Sequence, residues 1–333
     1  MRRTTLKALT IAAAGALALT ACTNPGGSGN TDEDKLVIYS SHPIEMIDFF
    51  TAKFKEANPG VEVELITGGT GELLGRVKAE AAQPQGDVLW GGGAYTGSSA
   101  PDLFTKFDDP VLQEIGEELR DPAGFNAPAG AFTMLIVYNK DLVPEADVPQ
   151  TWQDLADPKW KGLIGYANPA SSSSAYNALV AWKVIGGWEL VESIAKNLVI
   201  ADSSSAPFTA VGNGEAPLGV AYEEGAYRWL PSGKVGIVYP SDGVIVAAEG
   251  LFQIANAPNP TNAKKFAQFM LAVEQQQALV DNFEGRRPTN SGVTFPDAMP
   301  PASELNLLAY PPEAQTEQAE WLAEWNEIMV NTR

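Results

Sequence analysis

The chain is poor in the residues that build rigid chemical scaffolds. Of its 333 residues, one is cysteine and one is histidine. A single thiol closes no internal disulfide and a single imidazole builds no multi-histidine metal centre, so disulfide-stapled scaffolds and structural zinc are excluded. Basic residues are scarce as well: 22 Lys and Arg stand against 41 Asp and Glu, a formal charge of -19. That balance repels phosphate backbones and anionic membrane surfaces, which sets aside nucleic acid as a partner. No Gly-x4-Gly-Lys-Ser phosphate loop is present, and one His supports no Ser-His-Asp arrangement, which speaks against an enzyme. Hydrolysis by a carboxylate pair stays open, because 41 acids offer many pairs. A surface adhesin or structural lipoprotein is a third class, one that predicts no cleft.

With 45% hydrophobic, 9% aromatic and 19% charged residues, the body has a globular composition. Its length suits two domain-sized cores better than one. The lone cysteine has its own explanation. Arg2, Arg3 and Lys7 precede an uncharged run from Ala8 to Ala21 that ends in Leu19-Thr20-Ala21-Cys22. The run falls short of the roughly 20 residues of a spanning helix and reads as an export signal over 1–21. Leu-Thr-Ala-Cys resembles the bacterial lipoprotein box, which makes Cys22 the expected lipid anchor. Cleavage there leaves 19 basic residues against 41 acidic ones, a charge of -22. Residues 22–35, rich in Gly, Ser, Asn and acids, read as a flexible tether. The expected location is therefore outside the cytoplasm, lipid-anchored to the cell membrane.

From Leu36 the pattern alternates. Leu36 to Ser40 reads as a strand. Ile44, Ile47, Phe50 and Phe54 make the stripe of an amphipathic helix, and Val61, Val63 and Leu65 alternate with acids as in a half-wet strand. A helix over 72–82 and a strand over Asp87 to Trp90 complete a strand-helix-strand-helix-strand order, which predicts a mainly parallel sheet covered by helices. Strands over 132–138, 163–166, 198–201, 218–222 and 236–239, separated by helical stretches, predict a second sheet. Helices over 261–271, 273–281 and about 312–330 are expected to return to the first sheet.

Parallel sheets put ligand sites at the carboxyl ends of strands, where loops open into helix N-termini. The loops so placed are Ser40-Ser41-His42, Gly68-Gly69-Thr70-Gly71, Gly91-Gly92-Gly93 and Ser171-Ser172-Ser173-Ser174. Glycine lets a solute approach the backbone and hydroxyls add donors, a combination that suits an anion. Each loop alone is also ordinary turn and cap chemistry; their number over two sheets favours a site between the domains.

The segments Leu-Val-Ile-Tyr-Ser-Ser-His-Pro at 36–43, Gly-Gly-Thr-Gly-Glu-Leu-Leu at 68–74, Gly-Asp-Val-Leu-Trp-Gly-Gly at 86–92, Trp-Lys-Gly-Leu-Ile-Gly-Tyr-Ala-Asn-Pro at 160–169 and Gly-Val-Ala-Tyr-Glu-Glu at 219–224 resemble the solute-binding proteins of bacterial ABC importers, in the branch that includes the ferric-iron-binding proteins. The resemblance implies a type 2 periplasmic-binding-protein fold: an α/β architecture of two lobes, with two mixed sheets flanked by helices, a two-strand hinge and an interlobe cleft. Lobe 1 would be 36–130 plus 246–333 and lobe 2 would be 131–245. It implies a monomer that captures a small solute without cofactor or chemical change and delivers it to an ABC permease in the cytoplasmic membrane.

Iron receptors of this branch hold the metal with a His, a Glu and two adjacent Tyr. Here His42 matches the His, but Gly92 or Gly93 stands near the Glu position and Glu224-Gly225 in place of the two Tyr. No complete metal site is therefore implied, and iron through His42 remains the alternative. Related receptors bind sugar phosphates and phosphonates, which points to a phosphorylated or phosphonate-like organic anion. The candidate ligand-binding residues are Ser40, Ser41, His42, Gly69, Thr70, Trp90, Gly92, Ser172, Ser173, Ser174, Tyr222, Glu223 and Glu224. Glu223 and Glu224 are expected to read the solute's tail or to form a solvated helix start, and Trp90 to flank the cleft or join the core.

A Cys22→Ala protein is expected to leave the membrane fraction or to accumulate unprocessed. Fractionation that shows unchanged, detergent-dependent membrane association would remove the lipid anchor.

Overall fold

A computed structural model describes residues 34–332 of the chain; the signal segment, Cys22 and all but the last two residues of the tether lie outside them. The strands are β1 (Lys35–Ser40), β2 (Glu62–Thr67), β3 (Val88–Gly93), β4 (Phe104–Thr105), β5 (Ala127–Phe132), β6 (Met134–Asn139), β7 (Ile164–Ala167), β8 (Leu198–Ala201), β9 (Leu218–Tyr222), β10 (Val235–Val238) and β11 (Ala247–Ile254). The helices are α1 (Ile44–Ala57), α2 (Thr70–Ala79), α3 (Ser173–Ala195), α4 (Ala206–Asn213), α5 (Glu223–Tyr227), α6 (Pro260–Leu271), α7 (Val273–Asn282), α8 (Glu313–Thr316) and α9 (Gln318–Asn331).

Two mixed sheets result. The first runs β2-β1-β3-β11-β4, with β5 also paired to β11; β1 is parallel to β2 and β3, and β11 is antiparallel to its neighbours. The second runs β10-β6-β9-β7-β8, parallel from β9 through β7 to β8. The chain leaves the first sheet after β5 and returns to it in β11. The run expected as one strand over 132–138 is two, in different sheets, split at Thr133. This residue is buried, and its hydroxyl donates to the carbonyl of Ile245 at 2.8 Å. That bond ties the outgoing crossing to the returning one.

Both faces of each sheet are covered. On one face of the first sheet, Phe50 and Phe54 of α1 meet Phe266 and Met270 of α6; on the other, Leu73 and Val77 of α2 meet Leu89 and Phe252. The stripe read from Ile47, Phe50 and Phe54 is buried, whereas Ile44 at the start of α1 is 51% exposed. In the second sheet, α3 lays Leu179 and Trp182 on Ile164 and Tyr166, and Phe208 and Val211 of α4 fill the opposite face. The two helical stretches expected over 175–185 and 188–197 run end to end within α3, with the break at Gly186 and at Gly187, where φ is +64°.

The C-terminal helices correct one expectation. Helices α6 and α7 lie on the first sheet, but α9 does not: Trp321, Trp325 and Ile328 join the core of the second sheet, where the Trp325 ring meets Tyr166 edge-on at 5.7 Å. The reason is shape. Large rings at 321 and 325 fill the space beside the Trp182 and Trp188 rings of α3, and the ammonium of Lys183 caps Trp321 at 3.2 Å from the ring centre. Among the described residues no helix is long and apolar enough to cross a membrane.

Removing the Trp325 side chain, 1% exposed, is expected to cost about 3–5 kcal/mol in urea unfolding. Val330→Ala, at a position 76% exposed on the same helix, serves as the neutral control. Equal, small effects at both positions would show that α9 is not part of the second core.

Candidate functional site

The parallel strands of both sheets end on one cleft, which has two connected chambers of about 360 and 600 Å³. The smaller is lined by the loops that follow β1, β2, β7 and β8, by Tyr222 at the end of β9, and by Glu249 and Arg286. Arg286 is 3% exposed and carries the site's guanidinium.

The helix starts are left open by the sequence. Gly69 caps α2 with no side chain, so the first-turn N–H groups of that helix depend on water or a ligand, whereas in α1, after Pro43, the Met46 N–H donates to the Pro43 carbonyl and the first two amides remain open. The hydroxyl of Thr70 donates to Ser41 Oγ at 3.2 Å. This pair sits against Gly91 and Gly92, with φ of +126° and +91°. A Cβ on Gly91 would collide with Ser41 Oγ and one on Gly92 would lie 2.8 Å from Thr96 Oγ1, so glycine here is a space requirement as well as a backbone one. Across the cleft, Ser172 caps α3 by accepting from Ala175 N at 3.2 Å and lies 3.0 Å from Ser174 Oγ. The hydroxyls of Ser173 and Tyr222 have no partner, and burial followed by the nearby Glu224 charge pushes the Tyr222 phenol up to about 12, so it remains a donor.

The expected acidic readers have another occupation. Glu223 and Glu224 begin α5, are 0% and 2% exposed, and line neither chamber. Glu223 accepts from Arg287 Nε at 2.8 Å and Nη2 at 2.7 Å, from the Tyr239 hydroxyl at 2.7 Å and from Thr133 N at 3.0 Å. Glu224 accepts from Arg228 at 2.5 Å and from Arg286 Nε at 2.7 Å. Arg286 also contacts Glu249, and its Nη2 lies 3.4 Å from His42 Nδ1. Burial opposes the charge of Arg286, but Glu224 and Glu249 outweigh it and raise its pKa; burial pushes the Glu249 carboxyl up in turn, against the pull of Arg286. The two glutamates are thus neither a solvated helix start nor open acceptors for a solute tail.

Ser40 and Trp90 also lie behind the cleft wall. Ser40 is buried at the end of β1, where its Oγ accepts from His42 N at 3.3 Å. Trp90 is 2% exposed in the core, with its ring 4.8 Å from that of His42. Ser41, His42, Gly69, Thr70, Gly92, Ser172, Ser173, Ser174 and Tyr222 do line the smaller chamber. Sequence reasoning missed Arg286, Glu249 and the Asp202-Ser203-Ser204 loop. The doubled arginine at 286–287, unique in this basic-poor chain outside the signal segment, was the available signal.

No group of three or more His, Cys, Asp or Glu placed to hold a metal occurs among the described residues. The donors nearest to that description, His42, Glu224 and Glu249, all face Arg286, a cation supplied by the chain. Gly225 has no room for a tyrosine, because any side chain there would enter the Phe208 ring.

Residues 50–305 match the family described as bacterial extracellular solute-binding protein. The chain belongs to that family. Over 280 residues it is 31% identical to iron uptake protein A1 of Synechocystis sp., covering 75% of each chain. Over 293 residues it is 25% identical to a putative 2-aminoethylphosphonate-binding periplasmic protein of Salmonella typhimurium, covering 82% of this chain and 80% of the other. Among solved structures it resembles the periplasmic binding protein AfuA from Actinobacillus pleuropneumoniae with fructose-6-phosphate bound, at a TM-score of 0.82 and 24% identity over 89% of this chain and 98% of that one. The fold is the type 2 periplasmic-binding-protein architecture.

The chain's one imidazole is a direct probe of this geometry. His42 Nε2 is buried without a partner, and burial together with the adjacent Arg286 charge holds the ring well below its ordinary range. In the unfolded chain the ring takes a proton near pH 6.5, whereas the folded ring does not until lower pH. Stability is therefore expected to fall as pH drops from about 6.5 toward 5, and His42→Gln to flatten that slope. An imidazole NMR signal that titrates near 6.5 in the folded protein would overturn this placement.

Proposed function

We propose that this protein is the extracytoplasmic receptor of an ABC importer that captures a phosphorylated or phosphonate-like organic anion and passes it, chemically unchanged, to a membrane permease. The observation that carries this reading is the wall of the smaller chamber. Uncapped first-turn amides of α2, the free Ser173 hydroxyl at the start of α3 and the free Tyr222 phenol surround a space in which Glu249 is paired with Arg286, while Glu72 and Asp202 stand exposed on its wall. Aligned peptide dipoles and uncharged donors suit a phosphate-like head, which needs several convergent N–H and O–H groups.

A hard ferric ion needs bare carboxylates, and the two nearest to His42, Glu224 and Glu249, are occupied by Arg286 and Arg228. The relative named for 2-aminoethylphosphonate and the structure holding fructose-6-phosphate favour the anion; the relative named for iron uptake favours the metal. Both are binding functions, and neither asks for turnover. In this reading lobe 1 is built on the first sheet and lobe 2 on the second sheet with α9, and the crossings at Thr133 and Ile245 are the hinge about which the lobes close.

A calorimetric screen of residues 34–333 against methylphosphonate, a hexose monophosphate and ferric citrate tests it. Phosphonate or phosphate is expected to bind, and Ser173→Ala and Thr70→Val each to weaken binding about tenfold, as loss of one hydrogen bond to a charged group does. Stoichiometric iron binding that is lost in His42→Ala, with no response to either organic anion, would replace this reading by the iron one.

A further inference from the structure

Both chambers belong to one cleft, but their chemistry is divided. Every formally charged side chain on the cleft wall (Glu72, Asp202, Glu249 and Arg286), and the imidazole of His42, lies in the smaller chamber. The larger chamber of about 600 Å³ has no Asp, Glu, Lys, Arg or His in its wall, in a chain that carries 41 acids. The chambers meet at a rim shared by Thr70, Phe132 and Ser171 to Ser173. A head seated on the α2 and α3 starts would therefore extend its tail into the uncharged side.

That side has features of a reading surface. Tyr95 and Tyr310 pair at 4.6 Å between ring centres and form one wall. Burial holds the Tyr310 phenol well above its ordinary range, and its hydroxyl makes no hydrogen bond of its own. Asn177 is 4% exposed; its Nδ2 donates to Ile245 O at 3.2 Å, which fixes the amide orientation, and its Oδ1 is buried with no donor. An unpaired buried carbonyl is costly, and its donor is supplied by an ordered water or by a ligand. An ammonium group brought into this chamber would find no counter-ion, whereas a hydroxylated ring would stack on tyrosine and donate to Asn177.

Resting on the anion reading above, we infer that the solute has an uncharged, ring-sized tail bearing hydrogen-bond donors, held in the tyrosine chamber with Asn177 Oδ1 as acceptor, and that this chamber sets specificity among phosphate and phosphonate solutes. A cationic aminoalkyl tail is the class it rejects.

The test compares methylphosphonate, 2-aminoethylphosphonate and a hexose 6-phosphate by calorimetry on the wild-type protein and on Ala319→Trp. Ala319 is a solvent-facing residue of α9 on the wall of the larger chamber, so the substitution narrows the chamber without entering the core; Asn177→Leu removes the acceptor. The hexose phosphate is expected to bind at least tenfold more tightly than methylphosphonate, and the aminoethyl tail to gain nothing. Ala319→Trp is expected to lower hexose phosphate affinity at least tenfold and to leave methylphosphonate within about twofold. If both head groups bind but the tail gains nothing, if the aminoethyl tail gains as much, or if Ala319→Trp weakens both solutes equally or neither, the tail site is wrong while the anion site stands. If no phosphate or phosphonate binds at all, the anion reading falls and takes this inference with it.

Discussion

The cleft depends on two adjacent arginines meeting two adjacent glutamates in the interior. Arg286 and Arg287 approach from the first-sheet side, where Arg287 pairs through its backbone with Ala131 and Arg286 contacts Glu249 of β11. Glu223 and Glu224 open α5 directly after β9 of the second sheet. All four side chains are at most 3% exposed. Such pairs add little net stability, since desolvation offsets the attraction, but removing one partner strands a buried charge at about 3–5 kcal/mol. Their effect is to hold one geometry. Gly285 makes the approach possible: its φ is +86°, and a Cβ there would lie 2.6 Å from the Glu224 backbone nitrogen.

The chemistry of the smaller chamber follows from that arrangement. With Glu224 shared between Arg228 and Arg286, and Arg286 shared between Glu224 and Glu249, two cations and two acids cancel at the back of the cleft. What remains at its surface is a set of uncharged donors on helix starts, together with the unpaired acids Glu72 and Asp202. Burial, aided by the same guanidinium, holds His42 neutral, so it adds no charge in the physiological range. A chain with a net charge of -19 thus keeps its acids away from the uncharged chamber and neutralises those behind the smaller one, although Glu72 and Asp202 remain exposed near its mouth.

Much of this was legible in the residues. The alternation of β1, α1, β2, α2 and β3 follows from apolar spacing, and the serine and glycine loops sit at the strand ends where the parallel sheet puts them. β11 was not legible. It lies between β3 and β4 in the middle of the first sheet, yet Ala247-Ala248-Glu249-Gly250 shows neither alternation nor β-branched residues, because a strand covered on both faces needs no polar side and small residues let the crossing chains approach. The partners of Glu223 and Glu224 were hidden for a different reason. Arg286 and Arg287 lie more than 60 residues away in sequence, and a local pattern reports only that acids stand at a helix start, a place that suits them anyway. The return of α9 to the second core was likewise a matter of which sheet had room for two tryptophans, which spacing alone does not say.

The division of labour also bears on how such a receptor would respond to its solute. The proposed head contacts come from α2, which follows a strand of the first sheet, and from α3, which follows a strand of the second. A ligand shifts a conformational equilibrium only by its differential affinity for the two states. Donors on one sheet alone would bind an anion equally well with the lobes apart or together, and binding would report nothing to a partner. Donors split between the sheets can be satisfied together only when the lobes meet. The arginine-glutamate pairs join the same two sheets through residues behind the cleft. Because they supply a fixed edge, the free energy of satisfying the head can go into closing the open edge, and it is there, between the starts of α2 and α3, that the hydroxyl of Ser173 stands without a partner.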